Sequence, residues 1–129
     1  MTRIDYADRF REQLALVYPF FESEYRFAAA AVGGLGRGLR GALAAAGLRD
    51  WRFDVAFVAH KISIEIDGGG RMAAINSRTG VPVAIGRHAQ SDDYRKLNAA
   101  ARLGWRVLRY TPEMLDNGEW ISDLEAMLK

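Results

Sequence analysis

Three carboxylates, Asp54, Glu65 and Asp67, stand in two segments that alternate polar with apolar residues. Trp51-Arg52-Phe53-Asp54-Val55-Ala56-Phe57 sends Phe53, Val55 and Phe57 to one side of an extended chain and Asp54 to the other. Lys61-Ile62-Ser63-Ile64-Glu65-Ile66-Asp67 sets three isoleucines against Glu65 and Asp67 in the same way. A hairpin folded about Ala59-His60 brings residue 54 opposite residue 65, with Cβ atoms roughly 4.5–5.5 Å apart. Like charges so placed repel unless something compensates them. A divalent cation does so, and the spacing reads as a place for metal.

Mg²⁺ prefers hard oxygen ligands, usually one or two carboxylates with water and substrate phosphate, and Mn²⁺ is its expected substitute. Asp54 and Glu65 suit it. The main-chain carbonyl of Ile66 lies near the same ion, and Asp67 shares the face of Glu65, where it holds a second ion or orients water. Hydrolysis of a phosphodiester needs a nucleophilic water, charge neutralisation at phosphate and a proton for the leaving oxygen; Mg²⁺ supplies the first two. Arg71, Arg78, Arg87 and Arg95 follow the acidic strand, and guanidinium forks match phosphate oxygens; a solvated surface explains them equally. His88 either protonates the leaving oxygen or contacts phosphate, or is a surface histidine. His60 reads as structural or solvated. A paired-carboxylate glycosidase is the competing chemistry, but the arginine-rich flank fits a phosphate substrate better.

The elements around these residues follow from periodicity. Tyr6, Phe10, Leu14 and Val17 recur at helical spacing, ended by Pro19. Phe21, Tyr25 and Phe27 share a face under strand period, in an element that is helix or strand. Gly33-Gly34-Leu35-Gly36-Arg37-Gly38 lacks the ending of a phosphate-cradling loop and reads as a surface connection. Leu39, Leu43 and Ala46 suggest a short helix closed by Gly47. Gly68-Gly69-Gly70 ends the acidic strand and admits a close backbone such as a nucleic-acid strand, or is a plain turn. A loop follows, with one short strand at Val81–Ile85. Ser91 is the expected N-cap of a helix to Leu103, with Tyr94, Leu97, Ala101 and Ala100 inward and Gly104 at its end. Trp105–Tyr110 reads as a strand, Pro112 starts a helical turn, and Trp120, Leu124 and Leu128 mark a terminal helix. The helix between the acidic strand and the Trp105–Tyr110 strand has the length of a crossover. The expected fold is α/β: one domain spanning 1–129, with a central mixed β-sheet flanked by helices.

The 129 residues suffice for a real core, and half are apolar. There is no cysteine, which removes disulfides, thiolate zinc sites and thiol nucleophiles. Net charge is only +2. No apolar run suggests a membrane span, and the charged start is not a signal peptide. A cytoplasmic protein, of a bacterial or phage-infected cell, is expected, with no membrane partner.

Taken together, Phe53-Asp54, Ile64-Glu65-Ile66-Asp67-Gly68-Gly69, Gly86-Arg87-His88, Asp93 with Lys96, and Gly104-Trp105-Arg106-Val107-Leu108-Arg109 resemble the PD-(D/E)XK nuclease superfamily. More narrowly, they resemble the small phage and prophage Holliday junction resolvases and very-short-patch-repair-like endonucleases, over about residues 22 to 115. The resemblance implies a restriction-endonuclease-like fold and a Mg²⁺-dependent endonuclease. Asp54 matches the family's first acid and Glu65 its second. The family's lysine belongs two residues further on, where this chain has Asp67. Related families carry that lysine on the helix behind the strand, which points to Lys96; Lys61 is roughly 13 Å from Glu65 by strand rise. Lys96 alternatively pairs with Asp92 at i, i+4. Several relatives have an extra acid on an N-terminal element, which Glu24 matches unless it is simply exposed.

The expected function is a Mg²⁺-dependent, structure-selective DNA endonuclease, of the phage Holliday junction resolvase kind. Asp54, Glu65, Asp67 and Lys96 form its catalytic set, and Arg71, Arg78, Arg87 and His88 contact the DNA backbone. Symmetric cutting of a junction favours a homodimer. A mismatch or nicking endonuclease, or a non-catalytic nucleic-acid-binding protein with the nuclease fold, are the alternatives.

Overall fold

The computed structural model describes residues 3–34, 36–67, 74–75, 82–83 and 87–129. Helix α1 (Arg3–Val17) buries Phe10 and Leu14, one helical turn apart, and stops ahead of Pro19. Strand β1 (Glu22–Tyr25) follows, then two short helices, α2 (Phe27–Ala31) and α3 (Leu39–Ala45). Gly47, at φ 72°, takes the left-handed conformation that ends α3. Strands β2 (Phe53–Phe57) and β3 (Ile62–Ile66) form the expected hairpin, joined through a 3₁₀ turn at Val58–His60 and a left-handed Lys61. Beyond them lie β4 (Ala74–Ile75), β5 (Pro82–Val83), α4 (Arg87–Arg102), β6 (Arg106–Tyr110), α5 (Pro112–Asp116) and α6 (Glu119–Met127).

Among the described residues the main sheet has the order β1-β2-β3-β6, with β4 and β5 pairing separately. β1–β2 and β2–β3 are antiparallel and β3–β6 is parallel, so the sheet is mixed. The parallel pair is joined through α4, which makes that helix the crossover.

Two hydrophobic clusters sandwich the sheet. Val55, Phe57, Ile62, Ile64, Ile66 and Tyr110 pack with Phe10 and Leu14 of α1, Leu115 of α5, and Trp120 and Leu124 of α6. Phe53, Ala56, Ala100 and Trp105 pack with Phe27, Ala28 and Leu43. Phe27 and Phe53 stack with ring centroids 4.0 Å apart and planes 8° from parallel. Truncating such a ring to alanine costs roughly 3–5 kcal/mol.

Several expectations are corrected. Phe53 does not share a face with Val55 and Phe57, and Tyr25 and Phe27 do not share one with Phe21: Phe53, Tyr25 and Phe27 belong to the second cluster, the others to the first. Tyr25 pairs with Phe53 and Ser23 with Val55, so both strands change face across Glu24 and Asp54. Glu24 has φ 50°, a conformation that a non-glycine residue adopts rarely and at a cost of about 1–3 kcal/mol. That residue breaks the alternation. Ser91 is not an N-cap, because α4 begins four residues earlier, at Arg87. Tyr94 and Ala101 face solvent, whereas Ala100 is buried as expected and Ala99 is buried beside it; the inner face is set by small residues that let the helix approach the sheet. Val17 is half exposed. Gly68–Gly70 and most of the expected Val81–Ile85 strand lie outside the described residues; its centre is β5. Among the described residues no helix is long and apolar enough to cross a membrane.

Candidate active site

Asp54 and Glu65 meet where the β2–β3 ladder passes from main-chain to side-chain hydrogen bonds. The register Val55 to Ile64, continued one step, sets 54 against 65. There the Asp54 N–H donates to Glu65 Oε2 at 3.0 Å, and the Ile66 N–H donates to Asp54 Oδ2 at 2.7 Å. Each carboxylate accepts an N–H from the opposite strand. This reciprocal clasp holds two acids side by side and satisfies the main chain at the end of the hairpin.

Lys96 of α4 completes the arrangement. Its Nζ donates to Glu65 Oε1, and the two side chains are only 17% and 16% exposed. It also stands 5.8 Å from the centroid of Phe53, within the range of a cation–π contact. Asp92 is not its partner: that carboxylate accepts from Arg49 and from the Trp51 indole. The i, i+4 alternative for Lys96 is thereby excluded. Lys61 donates to the Leu103 carbonyl at 2.7 Å, at the far end of α4.

A cavity of about 180 Å³ opens over these groups, lined by Asp54, Glu65, Ile66, Asp67, Asp93, Lys96, Leu97 and Arg109. The Ile66 side chain belongs to the cluster on the other side of the sheet, so what it presents to the cavity is main chain. Arg109 donates to Asp67, and in the parallel register it lies beside Glu65. From the sequence, Leu97 is set on the inner face of α4, and Asp93 and Arg109 enter only within the motifs of the resemblance, with no catalytic or binding role for any of the three. Arg109 and Val107 share strand parity, and Val107 packs in the second cluster with Ala56; that parity was the available signal. Asp93 and Lys96 are three apart on a helix, which places them on one face.

Glu24 is not brought into the cavity. Its Oε1 accepts from Arg11 Nη2 at 2.8 Å, and the same nitrogen donates to the Asp54 carbonyl at 3.2 Å. Arg11 therefore pins the main chain at the point where both strands change face. Glu24→Gln should shift stability by no more than about 1 kcal/mol, the range of an exposed ion pair, as read by denaturant titration. Arg71 and Arg78 lie outside the described residues. Arg87 and His88 open α4, and their side chains are likewise outside what is described.

Among the described residues no three of Asp, Glu, His and Cys close into a metal cage. The donors on offer are the Asp54 and Glu65 carboxylates and the Ile66 carbonyl. All are hard oxygens, and two carboxylates with an open cavity match the water-rich shell of Mg²⁺. Among the described residues Asp54 Oδ1 makes no hydrogen bond, which leaves an oxygen for a cation. The residues fit such an ion.

Burial raises the Glu65 carboxyl above the ordinary glutamate range; Lys96 pulls it back in part, and the charge on Asp54 pushes it further up. A carboxyl raised on folding stabilises the folded chain fully below its unfolded pKa, and that contribution is lost as pH rises through the folded value. Denaturant titrations at stepped pH should show a loss over that window that is missing in Glu65→Gln. A cation held by Glu65 would displace the same proton, so its apparent affinity should climb across the same window.

Comparison of the chain with known protein families, with curated proteins and with solved structures finds no match.

Proposed function

We propose that this chain is a Mg²⁺-dependent endonuclease that hydrolyses phosphodiester bonds in DNA, with branched DNA of the four-way-junction type as its substrate. The observation that carries the hydrolytic reading is the meeting of Asp54 and Glu65 from adjacent strands, with Lys96 from the crossover helix on Glu65. The choice of junction DNA follows the resemblance to phage-type Holliday junction resolvases.

In this reading Asp54, Glu65 and the Ile66 carbonyl hold the cation. A bound divalent ion supplies charge neutralisation at phosphate and a more acidic water. Lys96 sits on a flexible four-carbon stem and can turn from Glu65 toward a phosphate oxygen, where its ammonium stabilises the charge that builds as water attacks. It takes the part of the lysine that Asp67 displaces from the strand. Asp67, held by Arg109, orients the attacking water. The new bond joins water oxygen to phosphorus, the bond from phosphorus to one sugar oxygen breaks, and the proton shed by water ends on that leaving oxygen. Two symmetric cuts in a junction call for a two-fold pair of chains.

A second reading has its own support. Lys96 and Arg109 already neutralise Glu65 and Asp67, as they would in a nuclease fold that binds nucleic acid without cutting. Incubating the chain with a four-way junction, a mismatched duplex and a plain duplex, each with Mg²⁺ or EDTA, separates the possibilities. Mg²⁺-dependent cutting of the junction supports the proposal. Cutting confined to the mismatched duplex replaces the junction reading, and binding without cutting leaves the binder.

A further inference from the structure

Beside the acidic cavity, on the outer side of α4, lies a second cavity of about 370 Å³ with the opposite charge. Arg95, Asn98 and Arg102 line it from the helix, and Arg49 and Trp51 from the segment that leads into β2. Residues 95, 98 and 102 fall at i, i+3 and i+7, one face of a helix. Asp92 organises the opposite wall: its Oδ1 accepts from Arg49 Nη1 at 2.9 Å and its Oδ2 from Trp51 Nε1 at 3.2 Å. Asp92 is thus spent on positioning this wall, and Asp50, between Arg49 and Trp51, is paired with Arg26. Arg95 and Arg102 are exposed and, among the described residues, form no ion pair.

We infer that this groove binds the phosphodiester backbone of a polynucleotide. The inference rests on the nucleic-acid reading above and deepens it by naming where the strand lies. Seven residues of helix carry Arg95 and Arg102 roughly 10 Å apart along the axis, about three phosphate rises of one strand at 3.4 Å each. Guanidinium forks match phosphate oxygens, and half-buried Trp51 gives a base an aromatic surface to rest on. The adjoining positions on the same helix, Asp93 and Lys96, line the acidic cavity. A strand held in the groove therefore runs along α4, next to the acids. None of the groups proposed to hold the cation, Asp54, Glu65 and the Ile66 carbonyl, lines the groove, so its grip is independent of the cation.

The test is anisotropy of a labelled four-way junction and a labelled single strand, titrated with the 129-residue chain in EDTA across a salt series. Arg95→Gln/Arg102→Gln should raise Kd at least about tenfold and flatten the log Kd against log salt slope by about 1.4–1.8, the share of two phosphate contacts. Arg95→Lys/Arg102→Lys should restore most of the salt dependence, which a merely structural role for these side chains would not. Quenching of tryptophan fluorescence on binding should vanish in Trp51→Phe. An unchanged Kd and slope in the double glutamine variant overturns the groove, as does a wild-type chain that binds heparin but neither nucleic acid. The two readings fail separately. Wild-type binding through the groove without Mg²⁺-dependent cutting removes the nuclease and keeps the groove; cutting with unchanged KM in the double variant removes the groove and keeps the nuclease.

Discussion

Asp54→Asn should lower kcat/KM for junction cleavage by roughly 10²–10³-fold, the scale on which one electrostatic group of a preorganised site acts, while leaving the chain folded. The two effects separate because Asp54 does two jobs. Its Oδ2 accepts the Ile66 N–H at 2.7 Å, and an asparagine carbonyl oxygen still accepts that bond, though without the assistance of a full charge. What asparagine removes is the negative charge, and with it half of the paired carboxylates offered to a cation. Asp54→Ala removes both. It leaves the Ile66 N–H without its partner at a cost of about 1–3 kcal/mol, so it should unfold at lower denaturant than the asparagine variant.

A further consequence distinguishes a charge effect from a change of shape. The Asp54 charge pushes the Glu65 carboxyl up, so in Asp54→Asn that carboxyl should titrate closer to the ordinary glutamate range, as read by carboxyl carbon NMR. Cleavage by Asp54→Asn within a few fold of the original rate would remove Asp54 from the groups that hold the cation and would overturn the paired-carboxylate mechanism. A Glu65 carboxyl unmoved by the substitution would show that the two acids do not sense each other.

The register that opposes Asp54 to Glu65 was legible because it needs only two alternating segments and a short turn between them. The mixed sheet followed from the hairpin plus one helical crossover. The change of face at Glu24 and Asp54 was not legible, since it turns on a single positive φ at a residue other than glycine. Nothing in the local sequence announces that conformation; Arg11, thirteen residues earlier, holds the glutamate side chain. The phase of α4 was misread for a related reason. Tyr94 looked like a core residue because it is large, but a helix crossing closely over a sheet is packed through alanines, and Ala99 and Ala100 do that here. Moving the buried stripe off Tyr94 aims Lys96 at Glu65. Lys96 was therefore named by resemblance to a family pattern, and its position on Glu65 comes from packing that single-residue hydrophobicity does not encode. The placing of Arg109 beside the acids was not legible because its neighbour Glu65 arrives through a parallel register more than forty residues away in sequence.

Lys96→Met should cost about 3 kcal/mol of stability at neutral pH, the low end for a buried ion pair deprived of one member. Methionine keeps the length of the stem and the packing against Phe53, so the deficit reports the lost ammonium and not a cavity. Glu65, 16% exposed, is then left without its cation beside Asp54. Its carboxyl already lies above the usual range through burial, and removing Lys96 takes away a force that lowers it. The deficit should therefore shrink as pH falls, because a protonated Glu65 needs no counter-charge. Lys96→Met/Glu65→Gln should regain most of the stability, since glutamine still accepts the Asp54 N–H, yet it should not regain cleavage. The decisive arm needs no substrate. If the acids are built for a cation, Mg²⁺ or Mn²⁺ should take the place of the missing ammonium and restabilise Lys96→Met, by about 2.7 kcal/mol at a hundred times Kd. The same ion should do little for the double variant. Restabilisation of both alike, or of neither, would mean that the paired carboxylates are a structural clasp satisfied by Lys96 alone.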